Sequence, residues 1–210
     1  MKIAFINGSP KKRKSVSEQI IAELVKRLPD AREYAFCNSA VQSSDDILAA
    51  IRYADAVVFV FPLYVDALPS RLVKFLEDWA ERNTTGLTPG VKVYAVVNNG
   101  FFEARQNEIA LSIIKSFCGH TGLSWARGLG IGAGVMISTA SIGLWPLKRL
   151  GRALDELAAD IKNLETGRDI FVQPSFPRFI YNMDGNLMWK KAAKKRGLKV
   201  KDLYAFKDHS

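Results

Sequence analysis

The segment Gly8-Ser9-Pro10-Lys11-Lys12-Arg13-Lys14-Ser15-Val16-Ser17 concentrates hydroxyls and cations near the start of the chain. An apolar run, Ile3-Ala4-Phe5-Ile6, precedes it, and a periodic segment, Ile20-Ile21-Ala22-Glu23-Leu24-Val25, follows it. That order reads as strand, turn and helix. A helix start leaves backbone N–H groups unpaired and places a partial positive charge at the loop. With Ser9, Ser15 and Ser17 as hydroxyl donors and Lys11 to Lys14 as charge, the loop suits a phosphate. The same residues have a plainer use, in which Ser15 or Ser17 caps the helix and the lysines face water. On the loop alone both uses stand.

The glycine spacing narrows the kind of phosphate. A Walker A loop needs a glycine just before its Lys-Ser pair, and Arg13 stands there, before Lys14-Ser15. A dinucleotide loop needs two glycines one residue apart, and Gly8-Ser9-Pro10 lacks the second. A phosphoacceptor fold would want an aspartate at a strand end, whereas the first strand ends in Asn7 and Asp55 precedes its strand. What fits is a single phosphate monoester held by hydroxyls and backbone N–H groups, such as that of FMN.

Two further stretches could meet a flat ring. Pro62-Leu63-Tyr64-Val65-Asp66-Ala67-Leu68-Pro69 and Asn98-Asn99-Gly100-Phe101-Phe102-Glu103 both mix aromatic, small and amide-bearing residues. An isoalloxazine needs an apolar contact on its face and polar groups at its pyrimidine edge. Gly100 permits close backbone approach, and Asn98 and Asn99 carry suitable amides. Taken singly, Tyr64, Phe101 and Phe102 have the ordinary alternative of filling a core. Taken with the serine loop, the stretches favour a flavin.

The elements that must position these loops alternate regularly. The first helix is expected over about Ser17–Leu28, stopping at Pro29-Asp30, and Arg32–Ala35 reads as a short second strand. Ser44-Asp45-Asp46 caps the next helix before Ile47–Ile51. Ala56–Phe61 is a continuous apolar run, as in a central parallel strand covered on both faces, and ends at Pro62. Pro69-Ser70 opens a helix with Leu72, Val73, Leu76 and Trp79 at helical spacing. Thr88-Pro89-Gly90 is a turn, Val91–Asn98 a fourth strand, and Glu103–Phe117 a helix with Ile109, Ile113, Ile114 and Phe117 inward. Leu123–Leu129 is the fifth strand candidate. Leu147–Leu164 is an amphipathic helix carrying Leu150, Leu154, Leu157, Ile161 and Leu164 on one side.

This alternation predicts an α/β three-layer sandwich, a five-stranded parallel sheet of order 2-1-3-4-5 with helices on both faces. Ligands of such sheets sit beyond the carboxyl ends of the strands. The loops after the first, third and fourth strands are therefore the binding loops. Gly128–Leu147 carries no charge over a length that can span a bilayer. Its glycines, Pro146 and hydroxyl residues suit a loop and part of a cofactor or subunit interface better. Its Gly128-Leu129-Gly130-Ile131-Gly132 start has Val135 where a dinucleotide loop would carry its third glycine.

Composition bounds the class. The chain has 210 residues, 48% of them apolar, which suits one soluble domain with an added tail. Cys37 and Cys118 form no closely spaced pair, so a metal site and a disulfide framework are not expected, and a reducing cytoplasm is the expected location. Met1-Lys2 runs directly into a strand, with no signal pattern. The net charge is +9 and the pI about 9.6, a balance that nucleic acid, an anionic membrane surface or an acidic cofactor could each explain. The positive charge lies in Lys11–Lys14 and in Lys190–Lys201.

The serine loop, the Pro62–Pro69 segment and the Asn99–Glu103 segment together resemble the NAD(P)H-dependent FMN reductase and flavodoxin-like oxidoreductase family. The resemblance covers about Met1 to Thr166. It implies FMN bound without a covalent link, reduced by a nicotinamide, NADH or NADPH, and reoxidised by a small acceptor such as a quinone, a nitro compound or a flavin. By motif position Ser9, Lys11, Ser15, Val16 and Ser17 would hold the phosphate. Pro62, Leu63, Tyr64 and Val65 would line the ring, with Asn98, Asn99, Gly100, Phe101 and Phe102 on its other side. Val16 departs from the polar residue that relatives often carry, and no iron–sulfur cysteine cluster follows.

Since the cofactor carries hydride chemistry, no catalytic acid or base is expected, and His120 and His209 are expected to be structural or exposed. Residues 1–171 form the expected FMN-binding domain. Residues 172–210 form a basic tail packing on that domain or on a neighbouring subunit, anchored by Phe176, Phe179, Tyr181 and Trp189, in a homo-oligomer. A flavodoxin-type electron carrier without its own turnover is the alternative, separable by whether a one-electron-reduced flavin is stable. A nucleic-acid module using Lys190–Lys201 is the third reading; it is disfavoured because Trp189 alone among aromatics adjoins that cluster.

Overall fold

The computed structural model describes residues 1–11, 13–82, 90–200 and 202. Lys12, the Thr88-Pro89 part of the expected turn, Lys201 and His209 lie outside the described residues.

The chain begins with β1 (Lys2–Asn7), α1 (Val16–Arg27), β2 (Glu33–Asn38) and α2 (Ser44–Ile51). It continues through β3 (Ala56–Pro62), α3 (Ser70–Glu81), β4 (Lys92–Asn98), α4 (Glu108–Thr121) and β5 (Ser124–Ile131). α5 (Lys148–Asn163), β6 (Ile170–Val172) and α6 (Arg178–Lys195) complete it. All strand pairs are parallel, in the order β2-β1-β3-β4-β5-β6. The expected five-strand order is thus correct as far as it goes, but the sheet has six strands. The sixth, Ile170-Phe171-Val172, is too short to show a strand period, and only its pairing with Leu129–Ile131 defines it.

The central strands read as unbroken apolar runs because both faces are covered. Along β3, Val57, Phe59 and Phe61 face one core layer, with Leu72, Phe75 and Trp79 of α3 and Leu111 and Ile114 of α4. Ala56, Val58 and Val60 face the other, with Ile20 and Leu24 of α1 and Leu154, Leu157 and Ile161 of α5. The period-2 alternation of a strand thereby assigns each side chain to one of the two layers.

Several local expectations shift. The cap of α2 is Ser43, not Ser44: its hydroxyl accepts from the Asp46 backbone, and the Asp46 carboxylate accepts from the Ser43 backbone. β2 runs on past Ala35 to Asn38. In α3, Phe75 is buried and Val73 is exposed, so Val73 is off the inward stripe. α4 starts at Glu108, after a short 3-10 helix over Ala104–Asn107. Its inward residues are Ala110, Leu111, Ile114 and Cys118, while Ile109 and Ile113 face outward. Small Ala110 and Cys118 let this helix lie close to the sheet, which a search for large apolar residues overlooks.

The uncharged Gly128–Leu147 stretch is not one element. It supplies the end of β5, a short 3-10 helix over Gly134–Ser138 and the loops on to α5. Among the described residues no helix is long and apolar enough to cross a membrane.

Two compact units make up the chain, Met1–Ser175 and Phe176–Ser210. The first holds the sheet and its five flanking helices. The second holds α6, which ends in a Schellman turn: Gly197 N donates to Lys194 O and Leu198 N to Ala193 O, with Gly197 at φ 74°. Of the four expected anchors in this unit, Phe179 and Trp189 expose 66% and 63% of their surface.

Candidate functional site

The loop after β1 is built by its own polar groups. Gly8 N donates to Val60 O of β3 at 2.9 Å, which pins the loop to the neighbouring strand. A Cβ at Gly8 would lie 2.7 Å from Leu72 Cδ2 and 2.8 Å from Phe61 Cβ, so the close approach requires glycine. Ser9 N donates to Asn7 Oδ1 at 2.9 Å, and Lys11 N donates to Ser9 Oγ at 3.3 Å.

Ser15 and Ser17 divide the two uses that the sequence leaves open. Ser15 is the N-cap of α1: its Oγ accepts from Glu18 N at 3.0 Å and from Asn7 Nδ2 at 3.4 Å. Ser17 is only 1% exposed, and its Oγ is buried without a partner. The amides of Val16 and Ser17, in the first turn, have no carbonyl to meet inside the helix. A buried hydroxyl left unpaired costs about 1–3 kcal/mol. An acceptor beside this helix start would remove that cost.

The loops after β3, β4 and β5 are stitched together. Leu63 N donates to Asn98 O at 2.8 Å, Asn99 N to Ile131 O at 3.0 Å and Gly134 N to Asn99 O at 2.7 Å. Asn98 Nδ2 donates to Phe61 O at 3.2 Å, and Asn99 Nδ2 to Glu103 O at 3.1 Å. The Asn99 Oδ1 is buried and has no partner. Tyr64 and Ala67 pair across a tight turn whose central residues, Val65 and Asp66, have φ of 48° and 58°. Positive φ is strained for a β-branched residue.

These loops enclose one cleft of about 270 Å³. Ser9, Lys11, Val16 and Ser17 line it from the first loop, and Pro62, Leu63 and Tyr64 from the second. Asn98, Asn99 and Gly100 line it from the third. No described atom lies within 4 Å of the position a Cβ would take on Gly100. Lys11 is the one charged residue among the described lining.

Four expected residues do not line the cleft. Ser15 is occupied as the cap. Val65 is 98% exposed at the tip of its turn, Phe101 is exposed, and Phe102 is buried behind the loop. One further lining residue, Val135, follows β5; it lies in the Gly128–Leu147 stretch expected to form a loop and part of a cofactor or subunit interface, but is not itself among the expected site residues. Its signal was the small-residue run Gly132-Ala133-Gly134. A Cβ at Gly132 would lie 2.2 Å from Phe102 O, and Ala133 N donates to Phe101 O at 2.5 Å, so this run packs directly on the loop after β4.

A larger cleft, about 480 Å³, lies between α1 and the edge strand β2, lined by Phe5, Ile21, Val25 and Phe36. It is mostly apolar, and its described lining residues include no Lys or Arg. Cys37 lines it, and burial pushes that thiol up to about 11. Cys118, behind α4, is pushed up to about 12 by burial. Neither is a thiolate near neutral pH. His120 is exposed, and its Nδ1 meets Ser116 O of its own helix at 2.7 Å, as expected of a structural histidine.

Solved structures share this architecture at low identity. An FMN-dependent NADH-azoreductase from Bacillus anthracis, solved in complex with FMN, superposes with a TM-score of 0.56 at 15% identity, covering 78% of this chain and 100% of its own. A flavodoxin from Streptococcus pneumoniae gives 0.57 at 16%, covering 77% and 99%. An NADPH-quinone reductase from P. pentosaceus gives 0.55 at 16%, covering 75% and 98%. No curated protein matches the chain by sequence. The family model for the flavodoxin-like fold, Flavodoxin_2, matches residues 1–134. Together with the parallel sheet and its serine loop at the first strand end, that match places the chain in the flavodoxin-like fold family.

Proposed function

We propose that the chain is an FMN-dependent NAD(P)H oxidoreductase that passes reducing equivalents to a small acceptor such as a quinone, a nitro compound or a free flavin. The observation that carries this reading is Ser17. Its hydroxyl is buried and unpaired in the first turn of α1, beside two free amides and in a cleft whose lining cation is Lys11. Such a site asks for an anionic oxygen.

The residues present fit the group. Val16 and Ser17 amides, the Ser17 hydroxyl and Lys11 would hold the phosphate, with Ser9 and Ser15 shaping the loop. Pro62, Leu63 and Tyr64 would pack on one side of the ring, with Val65 at the rim. Asn98, Asn99, Gly100 and Phe101 would stand at its other side, with Phe102 behind them. The unpaired Asn99 Oδ1 is an acceptor suited to a ring N–H. When bound, FMN supplies hydride acceptance from a nicotinamide and hydride or electron delivery to the acceptor. The chain's own work is to bind, to orient and to keep water from the ring face. Val135 and Leu63 serve the last task. Among the described lining residues the ionisable groups are Lys11 and the Tyr64 phenol, and neither is asked to move a proton when the cofactor carries the hydride.

The azoreductase and quinone reductase named above support turnover; the flavodoxin supports carriage alone. The basic balance of this chain, +9, is unlike a carrier surface made for basic partners, and favours the reductase. The test is an absorption spectrum of the purified protein with added FMN after gel filtration, followed by NADH or NADPH. A retained flavin spectrum that bleaches on adding nicotinamide and returns on adding a quinone is expected. A protein that retains no flavin refutes the site; one that retains it but is never bleached is a carrier.

A further inference from the structure

α6 exposes an unusual set of side chains for a helix in a folded unit. Phe179, Met183 and Leu187 fall at i, i+4 and i+8 along one line of the helix, with Ile180 beside them. All of these are exposed, as are Met188 and Trp189. The same line continues into Lys190, Lys191 and Lys194, and Lys195, Arg196 and Lys199 follow. These six are exposed, and none takes part in an ion pair among the described residues. The exposed apolar side chains thus fall in the N-terminal part of the helix, interspersed with Arg178, Asn182, Asp184 and Asn186, and the cations follow in its C-terminal part; at 1.5 Å per residue the helix is about 27 Å long. Neither part is needed by the flavin cleft, which the first unit builds by itself.

We infer that α6 docks on an anionic lipid bilayer, with the exposed apolar side chains of its N-terminal part entering the acyl boundary and its C-terminal cations meeting the headgroups. Charge complementarity decides the occupant. A cluster of six cations needs an anionic surface. Exposed Phe, Ile, Met and Leu need an apolar phase, and Trp favours the boundary between the two. An anionic bilayer offers both within one helix length. Nucleic acid would match the cations and leave the apolar part in water. A second copy paired antiparallel through the apolar parts would set the two cationic clusters at opposite ends and leave each without a counter-charge, whereas an anionic bilayer meets both parts at once. The helix does not cross the membrane, since it is too charged to do so.

The test is co-sedimentation of the full chain with vesicles of pure phosphatidylcholine and with vesicles in which a quarter of the lipid is phosphatidylserine. Binding roughly tenfold or more tighter to the anionic vesicles is expected, weakened by added salt. The emission of Trp189 should shift to the blue on binding, a shift that Trp189→Phe removes while leaving the other tryptophans reporting. Phe179→Ser with Leu187→Ser should lose binding at constant charge, and Lys190→Glu with Lys194→Glu should lose it at constant apolar area. Both pairs alter exposed residues, and circular dichroism checks that they fold. Equal binding to both vesicles, no binding to either, or binding that survives both pairs would overturn the inference. So would a Trp189 shift that appears with an oligonucleotide, or with rising protein concentration, and not with lipid.

Discussion

Ser15 and Ser17 are two residues apart and do different things. Ser15 closes the helix, and Ser17 holds a hydroxyl ready in a buried place. Ser17→Ala should therefore weaken FMN by about ten- to a hundredfold, the range of a hydrogen bond to a charged group, and riboflavin far less. Fluorescence titration with both ligands measures the difference; equal weakening would count against the phosphate assignment. Ser15→Ala should instead lower unfolding stability by about 1 kcal/mol, read by urea denaturation without ligand. Val65, strained at φ 48° and 98% exposed, makes a third case. Val65→Asn should raise stability by roughly 1 kcal/mol, because Asn tolerates that region. A simultaneous loss of flavin affinity would show that the strain serves the site.

At the scale of elements, α1 and the close-packed strand ends set the tolerances. Glu23 of α1 bonds Lys26 at 2.6 Å and Arg27 at 2.7 Å, and these partners hold its carboxyl below the usual 4.5. A depressed carboxylate contributes stability above its unfolded value and loses it as pH falls through the folded one. Glu23→Gln should therefore cost up to about 1 kcal/mol at pH 7 and converge with the parent below that value, as urea unfolding at both pH values would report. Gly132→Ala should destabilise by about 1–3 kcal/mol or more, because the clash is with backbone rather than a movable side chain. The alternating apolar runs made the order of the first five strands legible, since strand, crossover and strand leave few arrangements. The stretch after β5 was legible as a loop and part of a cofactor or subunit interface, but the place of Val135 in the cleft was not, because Gly132-Ala133-Gly134 has neither period nor chemistry in one dimension. It matters only through its contact with Phe101 and Phe102. Ile109 and Ile113 misled for the reverse reason, being apolar residues that the phase of α4 turns outward.

For the whole molecule, charge is the readable property and its distribution the informative one. With +9 overall and Lys11 in the cleft, association with anionic FMN should slow several-fold as salt rises past physiological strength, while riboflavin association should not. Stopped-flow fluorescence at two salt concentrations distinguishes them. β6 carries a different consequence, for the making of the protein. β5 keeps its outer hydrogen-bonding edge unpaired until Ile170–Val172 arrives to pair with Leu129–Ile131. A ribosome must therefore add some forty residues after β5 before that edge is closed, and in that interval the nascent chain displays a ready template for pairing with its neighbours on a polysome.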